Sequence, residues 1–208
     1  MMARLLSWFG RSTLGLLGWR ITGTRPVQTH FVLVTAPHTS NWDFPLMLLY
    51  GMALGIRPTW VGKHTLFRPP FGALMRALGG IPVRRDAAHQ MVDQLVDQFR
   101  ARDSLALIVP PEGSRSLRPY WKSGFYFIAR EAGVPVVMSY LDFSRKEGGI
   151  GPSFIPGADL GADMDRLRAF YADKRGLYPQ NQGPVRLRQE DETAPRGAGT
   201  LPRDEAGD

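Results

Sequence analysis

Two kinds of apolar pattern alternate through the middle of the chain. Short blocks rich in β-branched and aromatic residues, "FVLVT" at 31–35, "TWVG" at 59–62, "IPVRR" at 81–85, "LALIVP" at 105–110 and "VPVVMSYLDF" at 134–143, predict strands. Longer stretches at 43–54, 70–78, 87–102 and 121–132, with a later one at 161–175, predict helices. The clearest is the third, where Met91, Val92, Leu95, Val96 and Phe99 fall on one face and Asp86 stands ready to cap the start. Strands that alternate with helices predict an α/β domain: a mostly parallel central sheet flanked by helices on both faces. No internal repeat interrupts this order.

The two ends of the chain follow other patterns. The opening "MMARLLSWFGRSTLGLLGWRITG" mixes Arg4, Arg11 and Arg20 with Leu5, Leu6, Trp8, Phe9, Leu14, Leu16, Leu17 and Trp19. Its longest nearby charge-free run, Ser12 to Trp19, is far short of the roughly 20 apolar residues that a spanning helix needs. The broken apolar stretch, with no small-residue cleavage site after it, also speaks against a secretory signal. An amphipathic helix lying at a membrane interface, or packed on the domain's own core, fits this composition. From Pro179 onward Pro, Gly, Gln and mixed charges dominate, which predicts a disordered polar tail. The expected division is therefore a membrane-docking segment at 1–25, one catalytic-size domain at 26–180, and a tail at 181–208.

Charge sharpens this division. The 208 residues carry +7, but residues 183–208 hold four Arg against six Asp and Glu. The preceding 182 residues hold 22 Lys and Arg against 13 Asp and Glu, net +9, and no acidic residue occurs before Asp43. A basic domain with a purely basic beginning suits an anionic partner such as a phospholipid surface or a phosphorylated substrate. Nucleic acid is not expected, because the arginines gather at strand ends rather than along one recognition helix. The absence of cysteine excludes disulfides and a thiolate nucleophile, and with only four His no metal site is expected.

In a parallel α/β sheet, ligands sit beyond the carboxyl ends of the strands. His38 follows the first predicted strand, Arg84 and Arg85 close the third, and Glu112 and Arg115 follow the fourth, so several strands deliver ionisable groups to one edge. In "APHTSNWDFP" at 36–45, His38 and Asp43 stand five positions apart, and "TSNW" can turn the chain so that they meet. An Asp beside an imidazole sets its tautomer and leaves the other ring nitrogen as a proton acceptor. The same Asp43 could instead serve simply as a helix N-cap, with Pro45 in the first turn. There is no Gly-x-Ser-x-Gly elbow, no His-Glu-x-x-His and no Gly-x-x-x-x-Gly-Lys-Ser/Thr loop. A histidine base with no protein nucleophile suggests that a substrate hydroxyl attacks, and arginines at the same edge suggest that this substrate carries a phosphate.

These blocks resemble those of the glycerolipid acyltransferases related to bacterial 1-acylglycerol-3-phosphate acyltransferase. "HTSNWD" is similar to the family's His-x-x-x-x-Asp motif and "PEGSRS" at 111–116 to its Pro-Glu-Gly-Thr-Arg-Ser block, with Ser114 in place of Thr. "GGIPVRR" at 79–85 looks like the Gly-x-Ile-x-x-x-Arg block, which aligns Arg85 with the phosphate-binding arginine, and "VPVVM" at 134–138 is similar to the Pro-centred fourth block. The resemblance covers roughly residues 30 to 140. It implies transfer of a fatty acyl group from acyl-CoA or acyl carrier protein to a lysophospholipid, lysophosphatidic acid first, with no permanently bound cofactor.

On that resemblance His38 would be the base and Asp43 its orienting partner. Arg85 and Arg115 would bind the acceptor's phosphate, and Glu112, Gly113 and Ser114 would shape its pocket. Lys63 after the second predicted strand is placed either at the phosphate or the carrier, or as a solvated lysine. A peripheral location on the cytoplasmic face of the cell membrane follows. Other acceptors such as lyso-ornithine lipid, a non-catalytic lipid-phosphate binding protein, and a hydrolase in which His38 activates water are the competing expectations.

Overall fold

The computed structural model of this protein describes residues 1–83 and 88–193, the side chains at 88, 89 and 193 excepted. Seven strands form one sheet: β1 (Arg20–Thr22), β2 (His30–Thr35), β3 (Pro58–Lys63), β4 (Gly80–Val83), β5 (Leu105–Val109), β6 (Val136–Asp142) and β7 (Glu147–Phe154). Their spatial order is β1-β7-β6-β2-β5-β3-β4. The five strands from β6 to β4 are mutually parallel, β7 runs antiparallel to β6, and β1 pairs parallel with β7. This is the expected α/β architecture. The sheet gains two strands that the apolar pattern does not show, because β1 has three residues and β7, "EGGIGPSF", is rich in glycine.

The helices α1 (Met2–Leu16), α2 (Asp43–Leu54), α3 (Gly72–Ala77), α4 (Ala88–Arg100), α5 (Gly124–Ala132) and α6 (Leu160–Tyr171) are followed by a short α7 (Gln189–Thr193). Strand side chains alternate between the two faces. Val32, Val34, Leu107 and Val136 point into a core shared with Leu95, Phe99, Phe125, Ile128, Met164 and Leu167 of α4, α5 and α6. Leu33, Ile108 and Val137 point the other way, toward Met47 and Leu54 of α2. Near-continuous burial of β2, β5 and β6 follows from their being covered on both sides.

Two expected boundaries move. The segment 1–25 does not stand apart, since Arg20–Thr22 is a member of the sheet and α1 packs along α2. Ser7, Gly10 and Leu14 form the packing stripe: Ser7 Oγ donates to Ala53 O at 3.0 Å, and a Cβ at Gly10 would stand 2.7 Å from Leu49 O. The helix therefore needs glycine there, where the two backbones touch. Its remaining faces leave Leu5, Leu6, Trp8, Phe9 and Leu16 exposed. Residues 181–193, expected as the beginning of a disordered tail, are folded. Leu187 is buried in the core beside Trp121, and Trp121 N–H donates to Arg186 O at 2.7 Å. The remainder of that tail, 194–208, lies outside the described residues.

Candidate active site

The parallel pairing of β2 with β5 brings the loops after both strands to the same edge. His38 and Asp43 do meet: His38 Nδ1 lies 2.9 Å from Asp43 Oδ2. The same carboxylate oxygen accepts the backbone N–H groups of Thr39 and Ser40, each at 3.0 Å, which wraps the loop 38–43 around it. Ser40 Oγ in turn accepts the N–H of Trp42 at 3.0 Å. Asp43 is thus not the N-cap of α2. Trp42 holds that position without a side-chain cap, and the carboxylate of Asp43, the first helical residue, is spent on the loop behind it.

A carboxylate at Nδ1 assigns the proton to that nitrogen and leaves Nε2 with its lone pair. Among the described residues no protein group bonds Nε2. The His38 side chain is 20% exposed, whereas that of Asp43 is 7% exposed. The dyad therefore has an inner member shielded from water and an outer member that a substrate can reach.

Glu112 lies beneath this loop. Its Oε1 accepts the backbone N–H of His38 at 2.9 Å, and its Oε2 is buried without a hydrogen-bond partner among the described residues. Burial raises the Glu112 carboxyl above the ordinary carboxylate range, backbone N–H groups including that of His38 pull it back, and Asp43 adds a smaller upward push. A carboxyl whose folded-state pKa is raised keeps a proton that the unfolded chain has already lost. Stability should therefore fall as pH rises from the ordinary value of 4.5 to the raised one, then level off. Glu112→Gln retains an acceptor oxygen for His38 and removes the titration. Urea unfolding of both proteins between about pH 4 and pH 8 should show the downward slope in wild type only. Equal slopes would mean that the fold does not raise the Glu112 carboxyl.

The rest of the "PEGSRS" loop is organised by its own hydroxyl. Ser114 Oγ donates to Ser116 O at 3.2 Å and accepts from Ser116 N–H and from Arg118 Nε. Gly113 takes φ +65°, where a side chain would strain the backbone and meet Lys122. Arg115 is exposed on this loop, and Lys63 is exposed at the end of β3, on the same edge. Arg85, expected at the phosphate, lies outside the described residues, as does Arg84.

One part of the site has no counterpart among the sequence expectations. Residues 174–189 form a strap across the loops that follow β2 and β5. Tyr178 N–H donates to Thr39 Oγ1 at 3.2 Å, and Gly176 sits so close that a Cβ would stand 2.5 Å from that oxygen. Gly183 lies against the carbonyl of Arg118, and Gln189 Nε2 donates to Ser123 Oγ at 3.0 Å. Gln182 clasps the turn between these points, donating to Lys174 O and accepting from Gly176 N–H. Below the strap, the buried Tyr171 hydroxyl lies 2.9 Å from Val34 O and 3.0 Å from Ser139 O and shares its one proton between them, which ties β2 to β6 just before the histidine loop. The one sequence signal for the strap is the period-two pair Val185 and Leu187 inside an otherwise polar segment.

A sequence model of the Acyltransferase family matches residues 18–141. The fold is similar to the crystal structure of the 1-acyl-sn-glycerophosphate (LPA) acyltransferase PlsC from Thermotoga maritima, with a TM-score of 0.52 and 21% sequence identity over 82% of this chain and 75% of that one. No curated protein sequence matches the chain. The loops after β2 and β5 lie inside the matched span, whereas the strap lies beyond it.

Proposed function

Because this chain belongs to the Acyltransferase family, we propose that it transfers a fatty acyl group from a thioester of coenzyme A or acyl carrier protein to the hydroxyl of a lysophospholipid. The observation that carries this is the His38–Asp43 pair with Nε2 open at the sheet's carboxyl edge. The acceptor hydroxyl gives its proton to His38 Nε2 as its oxygen attacks the thioester carbonyl. The C–S bond breaks, and the departing thiolate takes the proton from the imidazolium, so that the thiol leaves and the base is restored. Asp43, buried and held by two N–H groups, stabilises the imidazolium in between.

Lysophosphatidic acid is the acceptor we favour, with phosphatidic acid as product. The Thermotoga protein of similar fold acts on 1-acyl-sn-glycerophosphate. Arg115, with Arg85 and Lys63, would hold such a phosphate by charge-assisted bonds. Gly113 and Ser114 shape the loop that presents Arg115, and Glu112 acts through the backbone of His38 rather than on the substrate. We place α1 on an anionic phospholipid surface, with Trp8, Phe9 and Leu5 among the lipid tails and Arg4 and Arg11 at the phosphates. Among the described residues no helix is long and apolar enough to cross a membrane. A peripheral position on the cytoplasmic face would give the enzyme its thioester donors.

Mass spectrometry of products from a palmitoyl thioester and a panel of lysolipids tests the proposal. A diacyl product from a phosphate-bearing acceptor is expected. Free fatty acid formed at the same rate with and without acceptor would instead make the protein a hydrolase, and a diacyl product from lyso-ornithine lipid alone would remove the phosphate from the recognition scheme.

The strap yields a further expectation. In Gly176→Ala the new methyl group must push Thr39, whose backbone N–H holds Asp43. Misplacement of reacting groups by a fraction of an ångström to 1 Å lowers kcat steeply, and we expect a loss of about 10- to 100-fold with little change in KM. Unchanged kcat would show that the strap does not position the dyad.

A further inference from the structure

Apart from α1, the segment between β3 and β4 groups three large apolar side chains in water. Between β3 and β4 the chain makes an excursion through a 3-10 turn (His64–Phe67) and α3. Leu66 is 51% exposed, Phe71 63% and Leu74 53%. The excursion is nonetheless firmly built. Phe67 is buried, its ring 5.9 Å from that of Trp60, and Gly62 and Gly80 are the only residue type that leaves room for it, since a Cβ at either would stand within 3.0 Å of the ring. Gly72 packs on the carbonyl of Phe67 and closes the turn. A segment anchored by one aromatic side chain, with three other apolar ones directed outward, is shaped for an apolar medium outside the protein.

Its position and charge point to a membrane. The excursion leaves β3 at Lys63, on the edge where His38 and Arg115 stand. Phe44 of α2 meets Trp60 edge-on at 5.1 Å, so the excursion shares the sheet face of α2, with α1 on the other side of that helix. Trp42, at the start of α2, is exposed as well. Lys63, Arg68 and Arg76 are exposed around the apolar group. From Phe44 to Arg85 there is no Asp or Glu, so this stretch brings no carboxylate to repel an anionic headgroup.

We propose that residues 64–77 are a second membrane contact, independent of α1, which inserts Leu66, Phe71 and Leu74 at an anionic lipid surface and turns the catalytic edge toward it. A two-point attachment fixes orientation as well as affinity, so a lysolipid could present its hydroxyl to His38 without leaving the bilayer. This consequence rests on the acyl-transfer proposal; the contact itself does not, and its test reads binding.

The chain has no cysteine, so a single one can carry a polarity-sensitive fluorophore. In the full-length protein, a label on Phe71→Cys should shift to the blue on vesicles of phosphatidylcholine and phosphatidylglycerol. A label on Val27→Cys, 96% exposed at the opposite edge of the sheet, should not. Both high salt and pure phosphatidylcholine should diminish the shift. The double variant Leu66→Ser, Leu74→Ser should sediment with the mixed vesicles about 10-fold less strongly than wild type, since half-exposed side chains leave a smaller apolar area to insert. A label at 71 that stays silent on vesicles that still sediment the protein would overturn the proposal and leave α1 as the anchor. So would failure of the wild type to sediment, a shift that follows protein concentration without vesicles, which denotes a second copy, or a shift given by acyl carrier protein and not by lipid. Turnover on short-chain, monomeric lysolipids, lysophosphatidic acid and lyso-ornithine lipid among them, keeps the two proposals separate: no product from any of them with the shift intact sinks acyl transfer and leaves the contact standing.

Discussion

Replacing His38 by alanine is expected to lower kcat for acyl transfer by about 10³-fold, within the range of about 10² to 10⁴ that a positioned general base contributes. KM for the thioester should change little, because in the proposed mechanism His38 meets the attacking hydroxyl rather than the acyl chain or its carrier. Folding should be spared. The imidazole is partly exposed and its bond to Asp43 is at the mouth of the loop, while the carboxylate keeps the N–H groups of Thr39 and Ser40 after the substitution. Steady-state kinetics with mass detection of the diacyl product, alongside thermal unfolding of both proteins, separate the two effects. Full activity in the alanine variant would remove His38 from the chemistry and with it the proposed mechanism.

Asp43→Asn should cost about as much, roughly 10² to 10⁴ in kcat, for two reasons that add on one atom. The carboxylate stabilises the imidazolium, and an amide carries no charge to do so. Oδ2 also accepts three donors at once, from His38, Thr39 and Ser40, at 2.9 to 3.0 Å. An amide that turns its oxygen to these three donors leaves its NH₂ in the place of Oδ1, which is buried with no partner among the described residues, and one that turns the other way points its NH₂ at the donors themselves. The two residues act as one unit, so the double variant His38→Ala, Asp43→Asn should be no slower than His38→Ala alone. Multiplied losses in the double variant would mean that Asp43 works on substrate independently of His38.

Much of this site is legible in the sequence because catalytic chemistry in a parallel sheet sits on short loops directly after strands. The order apolar strand, His, five-residue offset, Asp, helix can be read along the chain, and it predicts that the loop must turn. It does not predict how. Asp43 as a helix cap and Asp43 as a partner of His38 both obey local rules, and the decision falls to three donors that converge on one oxygen. Glu112 shows the same limit from another side. Its motif marks it as part of the site, yet its placement under the backbone of His38 depends on β2 and β5 being neighbours although the partners stand 74 positions apart.

Composition misleads where burial is carried by few residues. The segment after Pro179 is polar enough to be taken for a tail, but Leu187 is buried in the core with Val185 packed against it, and backbone bonds and glycine contacts hold the rest over the loops after β2 and β5. Likewise β7 is recruited by the open edge of β6 despite its glycines, since pairing satisfies backbone groups whatever the side chains.

What the sequence by itself determined is local: the periodicities that make strands and helices, the α/β class, the loops that carry His38, Asp43 and the "PEGSRS" residues, and the basic, amphipathic beginning. Only the tertiary structure decided which of those groups touch, which carboxylates are buried, that a strap spans the two loops, and which apolar residues of the α3 excursion face outward. The physical reason is that hydrophobic period and turn chemistry act over a few residues. Burial, long-range hydrogen bonds and the free surface depend on partners brought from 40 to 140 positions away, as Tyr178 reaches Thr39 across 139 residues.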